Sequence, residues 1–258
     1  MRWCVGLAAI VVSVAVPGAQ AQGGRGGRAG GAAPTPQASA PIELTGYWVS
    51  LVADDWRWRM VTPPKGDVLY LPVNAEGRRV AEAWDPAKDE AAGEACRAYG
   101  AGGIMSLPGR LHITWSDATT LKVDIDTGTQ TRLFRFGGTG APAAEASWQG
   151  YSAASWELPG GGGGRRGAGA VPPTNGTLKV VTTRLRPGYF RKNGVPYGAG
   201  ATLTEYYSLV DGLQGETYLA ITKILEDAQY LNAPYVRTVQ FRKQNDATGW
   251  NPTPCAVN

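Results

Sequence analysis

"RLHITWSDATTLKVDIDTGTQTRLFRF", residues 110–136, holds three short runs rich in β-branched and aromatic residues. The runs at 110–116, 120–126 and 129–136 are separated by an Asp-Ala-Thr step and a Thr-Gly step. Runs of this kind between turn residues predict a meander of strands. Working outward, "ELTGYWVSLV" precedes the meander. "SWQGYSAASWEL", "GTLKVVTTRLR", "ATLTEYYSLV", "ETYLAITKILED" and "YVRTVQFRK" follow it, with a hairpin expected at Asp211-Gly212. The strands number about nine and are mostly antiparallel, because their linkers are too short for crossover helices.

Alternation within the runs chooses the architecture. In "TLKVVTTR", Leu178, Val180, Thr182 and Arg184 share a face; in "TLTEYYSL", Leu203, Glu205, Tyr207 and Leu209 do. In "TYLAITKILE", Tyr218, Ala220, Thr222, Ile224 and Glu226 oppose Leu219, Ile221, Lys223 and Leu225. A sheet buried on one side shows a clean apolar face, whereas these faces mix apolar and polar residues. The expectation is an all-β, mainly antiparallel barrel of eight or nine strands, with polar groups in its lumen. A charge inside needs a partner, and Glu205 with Arg184 is the pair that alternation offers.

One segment breaks the strand pattern. "NAEGRRVAEAWDPAKDEAAGEACRAYG" (residues 74–100) predicts a short two-helix insertion. Asn74 caps the first helix. Asp85-Pro86 starts the second, and Gly100 ends it. Val80 and Trp84 share one face; Ala92, Cys96 and Tyr99 share another and are expected to pack on the sheet. Asp85, Asp89, Glu90 and Glu94 fall elsewhere and read as a solvated face.

The chain opens "MRWCVGLAAIVVSVAVPGAQAQ": a positive Arg2, an apolar run and an Ala19-Gln20-Ala21 cleavage site. This is the pattern of a signal peptide over residues 1–21, cut after Ala21, and it predicts a secreted or periplasmic protein. No later stretch is apolar enough for a transmembrane helix. Residues 22–41 are rich in Gly, Ala and Pro and read as a flexible linker. Residues 158–176 read as a Gly-rich loop inside a single domain spanning 42–258. Its glycines do not form a phosphate loop, since no Lys-Ser/Thr follows them. Two cysteines lie beyond the cleavage site, Cys96 and Cys255, and an oxidising compartment predicts a disulfide between them. It closes a loop of roughly 160 residues, worth up to ~5 kcal/mol in the chain-entropy view. The sequence pI near 9.0 comes from Arg2, Arg25, Arg28, Arg165 and Arg166, which lie in the leader or the glycine tracts. Removing these five from 25 basic residues leaves 20 against 21 acids. A near-neutral folded part argues against a nucleic-acid partner.

Gly46-Tyr47-Trp48 at the start of the first strand is a G-x-W, which resembles the first-strand motif of lipocalins. That resemblance implies a tryptophan closing the barrel bottom beneath a basic residue of the last strand, Arg237 or Arg242. A second resemblance covers residues 148 to the C-terminus: "WQGYSAASWE", "TLKVVTTRLRPGYFRKNGVPYGAGATLTEYYSL" and "ITKILEDAQYLNAPYV". These are similar to an uncharacterised group of secreted bacterial proteins. The two together imply export and a lipocalin-like barrel, and no chemistry.

Catalytic patterns are weak. His112 is the single histidine. It shares its strand face with Arg110 and Thr114, so it is expected to face solvent rather than to serve a triad. "GYSAA" lacks the second glycine of a nucleophile elbow, "DIDTG" lacks the closing Glu of a calcium loop, and zinc-ligand spacing is missing. Asp54-Asp55 and Glu226-Asp227 are adjacent pairs whose members point opposite ways on a strand. The sequence therefore assigns no catalytic residue, no metal site and no cofactor.

The remaining signal is aromatic and cationic. In "GYWVSLVADDWRWRM" (residues 46–60), an extended 55–60 puts Trp56, Trp58 and Met60 on one face and Arg57 and Arg59 on the other. A strand packed under the helices with its arginines in solvent explains this. So does a ligand mouth with aromatic walls and arginines for an anion. "RLRPGYFRKNGVPYG" (residues 184–198) repeats the mixture, either as a solvated crossover or as the opposite rim. On the binding reading the candidates are Trp56, Arg57, Trp58, Arg59, Arg184, Tyr189, Tyr197, Glu205 and Tyr207. The first expected function is non-covalent binding of a small amphipathic or anionic ligand. The alternatives are an accessory envelope protein with a filled barrel, and a barrel enzyme of the cyclase, isomerase or hydrolase kind. An open lumen separates the first from the second.

Overall fold

The computed structural model describes residues 33–138, 145–159 and 175–257. The signal-peptide segment, most of the linker and most of the Gly-rich loop lie outside them. Among the described residues nine strands close a barrel. In chain order its strands are β1 (Gly46–Leu51), β2 (Arg110–Asp117), β3 (Thr120–Ile125), β4 (Gln130–Phe136), β5 (Tyr151–Glu157), β6 (Thr177–Thr183), β9 (Thr202–Asp211), β10 (Thr217–Glu226) and β11 (Tyr235–Gln244). Between β6 and β9, β7 (Gly188–Arg191) and β8 (Val195–Tyr197) form a separate two-stranded sheet. Around the barrel the order is β1-β11-β10-β9-β6-β5-β4-β3-β2, closing back on β1. Strand direction cannot alternate all the way round an odd-numbered ring. The one exception is β4 with β5, which run parallel with Phe134 opposite Ser152. The chain must therefore leave β4 at one end and enter β5 at the other.

Alternation sets what fills the barrel. Leu111 and Ile113, Leu121 and Val123, Leu178 and Val180, and Leu219 and Ile221 all point inward and are fully buried. Trp48 closes the core near the short-loop end. Its Nε1 donates to the Leu44 carbonyl at 2.9 Å. The basic residue over its ring is Lys243, with Nζ 4.4 Å from the centroid, rather than Arg237 or Arg242. Register is the reason: Lys243 is directly opposite Trp48, Arg242 pairs with Val49 on the outer face, and Arg237 lies near the other end of β11. Lys243 Nζ also donates to the Thr45 carbonyl, which closes the turn below β1.

The two ends of the barrel differ. At one, β2–β3 and β9–β10 are joined by short turns. At that end Trp156 Nε1 donates to the Pro36 carbonyl at 2.9 Å, so the residues just before β1 lie against the barrel. The other end receives the β1–β2 insertion, the β7–β8 hairpin and the β10–β11 turn. The insertion carries α1 (Trp56–Arg59), α2 (Ala75–Ala83), α3 (Pro86–Ala91), a 3-10 turn (Ala95–Tyr99) and α4 (Ala101–Ile104). Asn74 caps α2 by accepting from Gly77 N at 2.9 Å; Asp85 caps α3 by accepting from Ala87 N at 3.2 Å. The expected second helix is split, because Gly93 takes a left-handed φ of 71°. The 3-10 turn that follows brings Cys96 to Cys255, and the two form a disulfide. This ties the insertion to the C-terminal tail. Asp89 is buried rather than solvated, held by Arg97 Nη1 at 2.8 Å, Trp84 Nε1 at 3.1 Å and Tyr189 Oη at 2.9 Å. Tyr197 of the hairpin seats its ring on Gly102, where a Cβ would come within 2.7 Å of it. No helix of the described residues is long and apolar enough to cross a membrane.

Candidate functional site

The lumen is packed. Trp48, Phe134, Tyr207 and Phe241 are among its largest buried side chains, and its Arg132 and Glu205 pair with each other. Arg132 of β4 makes a bidentate pair with Glu205 of β9, Nη2 to Oε2 at 2.6 Å and Nη1 to Oε1 at 2.9 Å. Nη2 also donates to Thr182 Oγ1 at 3.2 Å, and Thr182 shares a 2.8 Å hydroxyl contact with Ser152. Burial works against the charge on Arg132, but Glu205 and Tyr207 together outweigh it and raise the guanidinium's pKa. Burial raises the Tyr207 hydroxyl well above its ordinary value. Glu205 is thus paired with Arg132, not with Arg184. Arg184 lies beyond β6 at a left-handed φ of 56° and is exposed.

The capped end is different. A narrow crevice with about 30 Å³ of enclosed room lies between the insertion, β7 and the start of β11. Three guanidinium groups line it among the described residues: Arg59, Arg191 and Arg237. Arg59 clamps β1 to the end of the insertion, donating Nη1 to the Leu51 carbonyl and Nε to the Ser106 carbonyl, both at 2.8 Å. Its Nη2 is buried without a hydrogen-bond partner among the described residues, and so is Arg191 Nη1. Both residues are only 9 % exposed, and burial lowers the pKa of each. Arg237 sits 3.2 Å from Asp55 Oδ2. The walls are aromatic. The Arg191 guanidinium lies 5.1 Å from the Trp58 ring centre, and Phe190 and Tyr235 have ring centres 4.8 Å apart. Asp54 and Asp55 are the acids lining the crevice. Asp67, which accepts from Trp58 Nε1 at 3.4 Å, also acts on Arg191, so three carboxylates stand against the three cations.

Below the crevice lies Lys223 of β10, 1 % exposed. It stands opposite Glu205 and Arg237 in register. Glu205 is already engaged by Arg132, and Lys223 makes no ion pair among the described residues. Its Nζ instead donates to Ser106 Oγ at 2.6 Å and faces the Gly102 carbonyl at 3.4 Å. Burial pushes the Lys223 ammonium down to about 8; Glu205 opposes this, while Arg59 and Arg132 add to it. Ser106 itself lines the crevice.

The structure scatters the nine sequence candidates. Trp58 and Arg59 line the crevice. Trp56 and Arg57 are exposed on the other side of α1, and Arg184 is exposed elsewhere. Residues 55–60 are therefore not extended: Asp55, at a left-handed φ of 56°, opens a single helical turn, so side chains no longer alternate between two faces. Tyr189 is bonded to Asp89, Tyr197 is buried against the glycines of the cap, and Glu205 and Tyr207 belong to the lumen network. The basic stretch at 184–198 is the buried β7–β8 hairpin rather than a solvated crossover. It comes against α1 through Arg191 and Trp58. His112 does not stand free in solvent: it stacks on Tyr47 at 4.1 Å and meets Trp250 edge-on. Ser106, Phe190, Lys223, Tyr235 and Arg237 were not among the candidates. Only Lys223 carried a local signal, as a lysine on the apolar face of its strand. No group of three or more potential metal ligands gathers among the described residues.

No family model matches this chain, and neither a curated protein nor a solved structure is similar to it.

Proposed function

We propose that the protein binds a small amphipathic anion non-covalently, and that it does so in the capped-end crevice rather than in the barrel lumen. One observation carries this reading: two buried guanidinium groups, Arg59 and Arg191, each keep a partnerless nitrogen in a crevice with a third arginine and an aromatic wall. Buried donors in folded proteins are nearly always satisfied; single nitrogens of Arg97, Arg110, Arg132 and Arg237 share the lack, and the crevice is set apart by three arginines converging beside aromatic rings. A single carboxylate, sulfonate or phosphate ester matches the fork geometry of arginine. The signal-like N-terminus and the disulfide support an exported protein.

The test is a titration with benzoate, phenyl phosphate and neutral benzamide, read by tryptophan fluorescence with Trp58→Phe as the control. Saturable binding of the anions, lost in Arg191→Met and not seen for benzamide, is the expected result. Equal responses to benzamide and benzoate sink the reading. A second reading, an accessory envelope protein that acts through its surface, is favoured by the packed lumen alone. Titrations without any saturable response in the wild type would move the assignment there.

A further inference from the structure

The crevice has a hydroxyl at its edge and an amine beneath it. We propose that Ser106 and Lys223 form a nucleophile–base pair that cleaves small carboxylic esters whose acyl part carries an anionic group. The substrate class rests on the anion-binding reading; the nucleophile and its base do not.

The geometry is that of an activated serine. Ser106 Oγ lies 2.6 Å from Lys223 Nζ, within reach for direct proton transfer. Ser106 lines the crevice, while Lys223 is sealed behind it. The charged groups around the amine are Glu205 from β9, Arg132 from β4, Arg59 from α1 and Arg237 from β11. Glu205 is held by Arg132, and Arg237 by Asp55, so neither carboxylate fixes a proton on Lys223. Burial holds Lys223 toward its neutral form, in which it accepts a proton; Glu205 opposes this and Arg59 and Arg132 add to it. Arg59 is tethered to the Ser106 carbonyl through Nε at 2.8 Å, which holds its guanidinium charge beside Ser106. Negative charge that develops on a substrate carbonyl oxygen beside Ser106 would meet it there.

The steps balance without a cofactor. Neutral Lys223 takes the Ser106 hydroxyl proton as Oγ bonds to the ester carbonyl carbon. The tetrahedral intermediate collapses, the carbon–alkoxide bond breaks, and the Lys223 ammonium returns that proton to the departing alcohol. Water then attacks the Ser106 ester and gives a proton to Lys223, which passes it to Ser106 Oγ. Ester and water become acid and alcohol.

The experiment treats the disulfide-bonded protein with a neutral alkyl fluorophosphonate and locates the adduct by peptide mass spectrometry. Hydrolysis of para-nitrophenyl hemiglutarate, an anionic ester, is compared with that of the neutral butyrate between pH 6 and 10. We expect the adduct on Ser106 and a rate that climbs as Lys223 loses its proton. Ser106→Ala and Lys223→Met should each lose roughly 100-fold or more. Lys223→Arg, which keeps a cation but cannot act as a base, should lose as much, and circular dichroism shows whether each variant is folded. A folded wild type with no Ser106 adduct at pH 9, or labelling unchanged in Lys223→Met, overturns the pair. Anionic selectivity is a separate readout. If Ser106 is labelled but hemiglutarate is not preferred and Arg191→Met changes nothing, the pair stands and the anion reading fails. If benzoate binds and Ser106 stays unlabelled, the pair fails and the anion reading stands.

Discussion

The lumen and the capped end both bury arginine, yet they treat it in opposite ways. Arg132 has its charge closed in a circuit: Glu205 takes two of its nitrogens, Thr182 a further bond, and Ser152 backs Thr182, with Nε alone left over. Arg59 and Arg191 lie in an open one: each has a nitrogen left over, and neither makes an ion pair among the described residues. A closed buried circuit specifies structure, because every desolvated charge has its partner in place. An open one forgoes that stabilisation and keeps donors that an acceptor would complete. The contrast is sharp because both regions belong to one barrel and lie a few residues apart along the same strands: Glu205 and Lys223 are cross-strand neighbours.

The largest way to break the comparison is in the lumen. Glu205→Gln leaves Arg132 buried without its counter-charge and should cost about 3–5 kcal/mol in urea unfolding. The double variant Arg132→Met/Glu205→Leu should recover most of this, since paired apolar replacements are often close to neutral. If the double variant is as damaged as the single one, packing rather than charge holds this region.

The disulfide sharpens the comparison from the capped side. Cys96→Ser with Cys255→Ser releases a loop of 159 residues and should cost about 2–4 kcal/mol. Hydrogen exchange should rise in residues 95–104 and in the C-terminal tail while the lumen strands stay protected. Uniform loss of protection would mean that the cap and the barrel unfold as one unit.

Lys223 sits on the border, and pH separates its contribution. Below about pH 8 both folded and unfolded chains hold its proton, and the cost of burying the charge is present in full. Between about 8 and 10.4 the unfolded chain keeps a proton that the folded chain has shed, so stability rises with pH. The gain is roughly 3 kcal/mol by linkage, and it should be missing from Lys223→Met measured beside the wild type. Parallel pH curves for the two proteins would show that the lysine is charged and satisfied when folded.

The smallest stability change is expected in the crevice itself. Arg191→Met removes an unsatisfied buried cation, so the melting temperature should hold or rise, while benzoate affinity falls about tenfold or more. A drop of several degrees would place Arg191 with Arg132 among the structural arginines.

The barrel was legible in the sequence because strand alternation is a local property: each run of five to ten residues declares its buried face with no knowledge of its neighbours. The helix caps at Asn74 and Asp85 and the Cys96–Cys255 pairing were legible for similar reasons. Partners across strands were not. Arg184 and Arg132 look equally available to Glu205, and only the sheet order, which sets β6 beside β9 and carries Arg132 across the lumen, decides between them. The same holds for Lys243 over Trp48, which depends on the register of the first strand with the last.

The candidate site shows the limit most plainly. An aromatic and cationic stretch at 46–60 and another at 184–198 could be recognised as unusual from composition alone. That Asp55 would turn left-handed and convert an alternating stretch into a helical turn could not, since both conformations suit the local sequence. Ser106 and Lys223 are separated by more than a hundred residues and become neighbours only when the β1–β2 insertion folds over the end of the barrel. By itself the sequence determined which strand side chains face the lumen, because that follows from short-range periodicity. The tertiary structure alone decided which buried charges are paired and which are left open, because pairing depends on distances between strands and insertions that no local pattern encodes.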